Sequence, residues 1–130
     1  VCDVNINELL AFHRTNGKKA TLTAVHIEPR FGVLDVQDGT VRAFREKSKH
    51  DSEPINAGYM VFEPEIFDYL MDDSTILEKE PLEQLAQQGE LASYLHKGFW
   101  QCMDTKKEHD HLEALWQTGQ APWNVWETVK

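Results

Sequence analysis

Three stretches of this chain hold residue types suited to chemistry on a small charged molecule. Phe44-Arg45-Glu46-Lys47, with Lys49 two residues further on, sets a carboxylate beside an ammonium. A carboxylate accepts hydrogen bonds from hydroxyls and a lysine is a compact charge for phosphate, so the pair suits a phosphorylated sugar. The same residues also describe a solvated junction between strand and loop. In Phe99-Trp100-Gln101-Cys102-Met103-Asp104-Thr105, Asp104 stands where an apolar stretch gives way to a helical pattern. There it either caps the helix, worth about 1 kcal/mol, or offers a hard oxygen to Mg²⁺, an ion held by one or two carboxylates together with substrate phosphates. Gly32 and Gly58 are strand glycines. Each marks a bulge or a close approach to backbone, and with Glu46 and Lys47 they suit the lining of one small polar site.

Other combinations lead away from chemistry. In Glu108-His109-Asp110-His111 the two rings project from different sides of a helix and do not converge on a metal. His13, His26, His50 and His96 are scattered, and no nucleophile-base arrangement suggests a triad. The chain has no GxGxxG and no Walker lysine. Trp100, Trp116, Trp123 and Trp126 read as core residues or anchors for the tail.

The elements that must position these residues follow from periodicity and punctuation. A cap candidate among Asp3, Asn5 and Asn7, an apolar stripe through Leu9, Leu10 and Phe12, and Gly17 as a stop predict a helix over 6–16. Residues 20–27 are β-branched and apolar on both faces, which predicts a buried strand. Strands over 31–36 and 40–46 flank Asp38-Gly39, a strong hairpin signal. A charged surface loop follows over 47–55 and a strand over 57–62, and Pro64 opens a helix over 65–71. A helix over 81–88 closed by Gly89, a strand over 91–95 and a helix over 105–117 with Leu112, Leu115 and Trp116 on one stripe complete the pattern. Interleaved strands and helices around a hairpin predict an α/β fold with a mixed sheet and flanking helices. Because the chain opens almost directly on a helix, elements that should flank the strand over 20–27 are expected to be missing, leaving sheet edges that favour a homo-oligomer.

At 130 residues the chain fits a single domain, 1–130. Asp plus Glu outnumber Lys plus Arg 22 to 13, for a net charge of −9. Such a surface repels phosphate backbones and anionic lipid, so neither nucleic acid nor a membrane surface is an expected partner. The first residues lack the pattern of a signal peptide. With Cys2 and Cys102 too far apart in sequence for a metal knuckle, two free thiols in a reducing cytoplasm are expected.

Taken together, these segments resemble the sugar-nucleotide pyrophosphorylases, in particular the branch that makes CDP-glucose from CTP and glucose 1-phosphate. The likeness runs through residues 1–6, 13–24, 30–35, Glu46-Lys47, 55–58, 80–82, 85–91, 98–101, 103–105 and 121–123, in order and over essentially the whole chain. It implies nucleotidyl transfer with Mg²⁺. It further implies that Lys47 meets the sugar phosphate as the catalytic lysine and that Glu46 accepts sugar hydroxyls. Gly32, Asn56, Ala57 and Gly58 would contact the sugar, and Asp104 would be one of two metal-binding aspartates. The family's glycine-rich phosphate loop, its Pro-Lys element and a Gly-Asp-Gly carrying the other metal aspartate have no counterpart in the 130 residues. Ser48 and Cys102 stand where the family usually has proline. The resemblance therefore implies the C-terminal, sugar-phosphate-binding part of a nucleotidyltransferase (Rossmann-like) fold, inactive alone. The alternative is a stand-alone remnant that serves as a binding or self-assembly module.

Overall fold

A computed structural model describes residues 1–28, 33–45 and 52–126. Helix α1, Ile6–Asn16, starts where the Asn5 side chain accepts hydrogen bonds from the N–H groups of Asn7 and Glu8, and stops at Gly17 in the left-handed conformation. Strand β1 (Ala20–Val25) then enters the centre of a three-stranded sheet. It pairs antiparallel with β4 (Ile55–Phe62) on one side and parallel with β5 (Leu91–Leu95) on the other. The predicted mixed sheet is present, with one correction. The expectation that β1 lacks flanking elements is wrong, because strands far along the chain return to cover both its edges.

The alternation along β1 sorts the two faces. Ala20 and Leu22 share a face with Met60, Phe62 and Leu91, and on them pack Ile66, Leu82 and Leu85. These last three come from a 3₁₀ helix, Pro64–Tyr69, and from helix α2, Glu80–Gln87. The helix expected over 65–71 is thus a shorter, tighter turn, which ends where Leu70 adopts an extended conformation. Across the sheet lie Thr21 and Thr23, both fully buried, with α1 above them. Phe12 of α1 meets Tyr94 of β5 edge-on at 5.3 Å.

Helix α3, Lys106–Gln117, buries Leu112. Trp116 and Trp126 are about half exposed or more, at 48% and 63%, so the expectation that both are core or anchor residues is corrected. Trp123 keeps the anchoring role, its ring 5.6 Å from that of Phe99. The predicted hairpin forms as β2 (Val33–Gln37) and β3 (Thr40–Arg45), with Asp38 and Gly39 both at positive φ as its turn requires. Leu34 pairs with Phe44 and, past a bulge at Arg42, Val36 pairs with Val41, so two apolar pairs lie across the hairpin. All four side chains are more than half exposed.

Candidate functional site

Beyond Val25 the chain continues through His26, Ile27 and Glu28 along one wall of a cleft of about 310 Å³. Trp100, Gln101, Cys102 and Glu108 complete its lining. The cleft lies past the carboxyl end of β1, whose parallel neighbour β5 ends beside it, and that end of an open α/β sheet is where ligands are held. The His26 ring donates from Nδ1 to the Ser52 carbonyl at 2.6 Å, which fixes the ring at the cleft mouth.

The sequence-predicted residues on β4, like Asp104, do not line this cleft; those on β4 sit at a bulge that touches its wall through Trp100. Opposite Leu22 and Ala24 of β1 stand Met60 and Asn56 of β4, so the register jumps between them. Gly58 sits inside the jump with φ +89°, a conformation that glycine adopts freely and bulkier residues do not. Its N–H donates to the Asn56 side-chain oxygen at 2.9 Å, closing a local turn. Asn56 and Gly58 are exposed and Ala57 is buried between them. The Ala57 carbonyl accepts the Trp100 indole N–H at 3.0 Å, which joins the bulge to the segment that carries Asp104. Asn56, Ala57, Gly58 and the Asp104 segment are therefore brought together. Gly32, Glu46 and Lys47 lie outside the described residues.

Asp104 is not the helix cap. That position belongs to Thr105, whose hydroxyl accepts the Glu108 N–H at 3.2 Å while the Glu108 carboxylate receives the Thr105 N–H at 2.9 Å. The same carboxylate takes the Asp104 N–H at 2.8 Å and the Cys102 thiol at 3.3 Å. These donors, the Asp104 N–H foremost and then the Cys102 thiol, hold the Glu108 carboxyl below the ordinary carboxylate range. Burial first, then the carboxylate beside it, pushes the Cys102 thiol up. Neither cysteine forms a disulfide, as expected.

Cys102, Asp104 and Glu108 hold their donor atoms within 4.8 Å of one another. Glu108 is committed to the helix start, and a neutral thiol is a poor partner for a hard cation. Asp104 is exposed, and its carboxylate makes no hydrogen bond among the described residues. Of this donor set, Asp104 alone fits a hard cation such as Mg²⁺, as one carboxylate ligand. Sequence reasoning missed His26 and Glu28 on the cleft, and also Lys107 and His111. These last two line an adjoining cleft with Gln101, Thr105 and Glu108. The places of His26 and Glu28 past a strand end could have signalled them; Lys107 and His111 depend on how α3 docks.

A family model for nucleotidyl transferases matches residues 1–120. The chain belongs to that family. A glucose-1-phosphate cytidylyltransferase of Salmonella typhi is 50% identical over 127 residues, covering 98% of this chain and 49% of its own length. The corresponding enzyme of Salmonella typhimurium matches to the same extent. The chain spans about half the length of these curated relatives. The backbone resembles a crystal structure of a Bacillus anthracis protein described as a glucose-1-phosphate thymidylyltransferase, in complex with sucrose. The TM-score is 0.58 at 16% identity, over 94% of this chain and 50% of that one. The nucleotidyl transferase fold predicted from sequence is therefore present, as the part of that fold the alignment covers. Among the described residues, no helix is long and apolar enough to cross a membrane.

Proposed function

We propose that this chain forms the sugar-phosphate side of a cytidylyltransferase cleft, in which glucose 1-phosphate attacks CTP. The observation that carries this reading is the 50% identity to the Salmonella typhi enzyme across nearly the whole chain. The convergence of the Asn56–Gly58 bulge and the Asp104 segment through Trp100 supports it. In the reaction a phosphate oxygen of the sugar bonds to the α-phosphorus of CTP, and pyrophosphate leaves. Lys47 neutralises the attacking phosphate and holds it in line. Glu46 accepts sugar hydroxyls, and Gly32 with Asn56, Ala57 and Gly58 presents backbone to the ring. Asp104 is the ligand this chain offers to Mg²⁺, which when bound draws charge from the phosphates. Two cysteines outside any disulfide suit a reducing cytoplasm.

Turnover by the chain alone is expected to be negligible, because no glycine-rich phosphate loop occurs in its 130 residues to stabilise the developing charge. The test is calorimetry with glucose 1-phosphate, paired with a pyrophosphate-release assay containing CTP and Mg²⁺. Saturable sugar-phosphate binding that disappears in Lys47→Ala supports the reading. Absent binding, or binding unchanged by Lys47→Ala, overturns it.

A second reading, self-assembly, rests on the two exposed apolar pairs of the β2–β3 hairpin and on the outer strands β4 and β5. A second copy of the chain, packing its own apolar pairs against these, is the occupant they suit. Sedimentation that shows a monomer at high concentration rejects it.

A further inference from the structure

The N-terminal segment is held against the stretch after β5: the Asp3 N–H donates to the Phe99 carbonyl at 3.2 Å, and the Gln101 N–H to the Val1 carbonyl at 2.9 Å. This brings Cys2 and Asp3 beside His96, far away in sequence, with one donor atom of each within 4.8 Å of the others. The His96 side chain is only 9% exposed and that of Asp3 27%. The Nε2 of His96 faces two acceptors, the Phe99 carbonyl at 3.0 Å and Asp3 Oδ1 at 2.9 Å. One proton serves one of them, and it goes to the carbonyl. Asp3 Oδ1 is left buried with no hydrogen-bond donor. A buried carboxylate oxygen without a partner is costly, and a bound cation is one of the few things that repays it.

The backbone at position 98 leaves no room for a side chain. A Cβ on Gly98 would stand 2.6 Å from Asp3 Oδ1 and 2.9 Å from the His96 ring. Only a residue without a side chain lets the carboxylate and the imidazole draw this close.

We propose that Cys2, Asp3 and His96 form a binding site for a borderline-soft divalent cation of the Zn²⁺ type, separate from the Mg²⁺ ligand Asp104. Sulfur, nitrogen and a single carboxylate oxygen are the donor types such ions take, and they discriminate against Mg²⁺, which prefers oxygen alone. Three protein donors leave a fourth tetrahedral position for water. Tetrahedral Zn²⁺ spaces its donors roughly 3.3–3.8 Å apart, given bonds of about 2.0–2.3 Å, so closure of the site needs only small movements. The thiol gives up its proton on binding, and the His96 ring proton moves from Nε2 to Nδ1, so that Nε2 exchanges its bond to Phe99 for the metal. Such an ion would staple the first residues of the chain to the end of β5, next to the cleft wall that carries Trp100.

The test uses the whole chain, first stripped with chelator and then titrated with Zn²⁺ by calorimetry and with Co²⁺ by absorbance. One equivalent is expected to bind, with a thiolate-to-cobalt charge-transfer band. The band is lost in Cys2→Ser and binding weakens in Asp3→Asn, while Cys102→Ser changes neither. If a variant misfolds, alkylation of the unaltered chain decides: bound Zn²⁺ slows modification of Cys2 and leaves that of Cys102 alone. No saturable binding, binding that survives Cys2→Ser, or protection that falls on Cys102 overturns the proposal.

Discussion

Glu108 shows how one side chain can be spent before any substrate arrives. It closes the capping box of α3, receives the Cys102 thiol and takes the N–H of Asp104, so it orders the backbone that carries Asp104. Its folded pKa lies below the ordinary value of 4.5. That stabilisation is complete above the ordinary value and is lost as pH falls through the depressed folded value. Thermal melts of the parent and Glu108→Ala are therefore expected to differ most near neutral pH and to converge in acid. A gap that stays constant into acid would show that the charge is not what stabilises the cap. His13 makes the complementary point. Its ring lies between the Thr21 hydroxyl at 2.7 Å and the Glu63 carboxylate at 2.9 Å, the geometry of a catalytic relay. The Thr21 hydroxyl is fully buried, so no substrate reaches it, and the array is a structural tie between α1, β1 and the end of β4. Replacing His13 with Leu leaves the hydroxyl without a partner and is expected to cost about 1–3 kcal/mol, measurable by urea unfolding.

At the scale of elements, the sequence was legible wherever a signal is local. Asn5 and Gly17 mark the ends of α1, and Asp38-Gly39 marks the hairpin turn, because caps and positive-φ turns depend on a few adjacent residues. The burial of β1 on both faces was equally plain. Asp104 misled because Thr105, also a good cap, stands beside it, and only the reach of Glu108 decides between them. Neither the meeting of His13 with Glu63, 50 residues apart, nor that of Cys2 with His96 leaves any mark in a linear pattern. The bulge in β4 lies between these extremes. Gly58 advertised it, but not that the Ala57 carbonyl would receive Trp100. Gly58→Val, forced to φ +89°, is expected to destabilise the sheet by about 1–2 kcal/mol, and to weaken glucose 1-phosphate binding if the bulge lines the sugar site. Unchanged stability in chemical denaturation would mean that the backbone there is more adaptable than described.

For the molecule as a whole, the fold came more easily from the sequence than the site did. A core built on β1, α2 and the 3₁₀ helix follows from the spacing of apolar residues, whereas a cleft depends on which loops meet at the sheet's end. The pair of exposed apolar contacts across the β2–β3 hairpin is the feature with the widest consequence. A two-stranded ribbon is marginal in water unless something covers it, whereas β1 is hydrogen-bonded on both edges and packed on both faces. The two parts should therefore report different clocks in deuterium labelling. Ribbon amides should exchange through frequent local opening, while those of β1 should wait for global unfolding. Any companion that covers Leu34, Val36, Val41 and Phe44 would slow the ribbon alone, so labelling with and without a candidate partner maps that contact before any complex is crystallised.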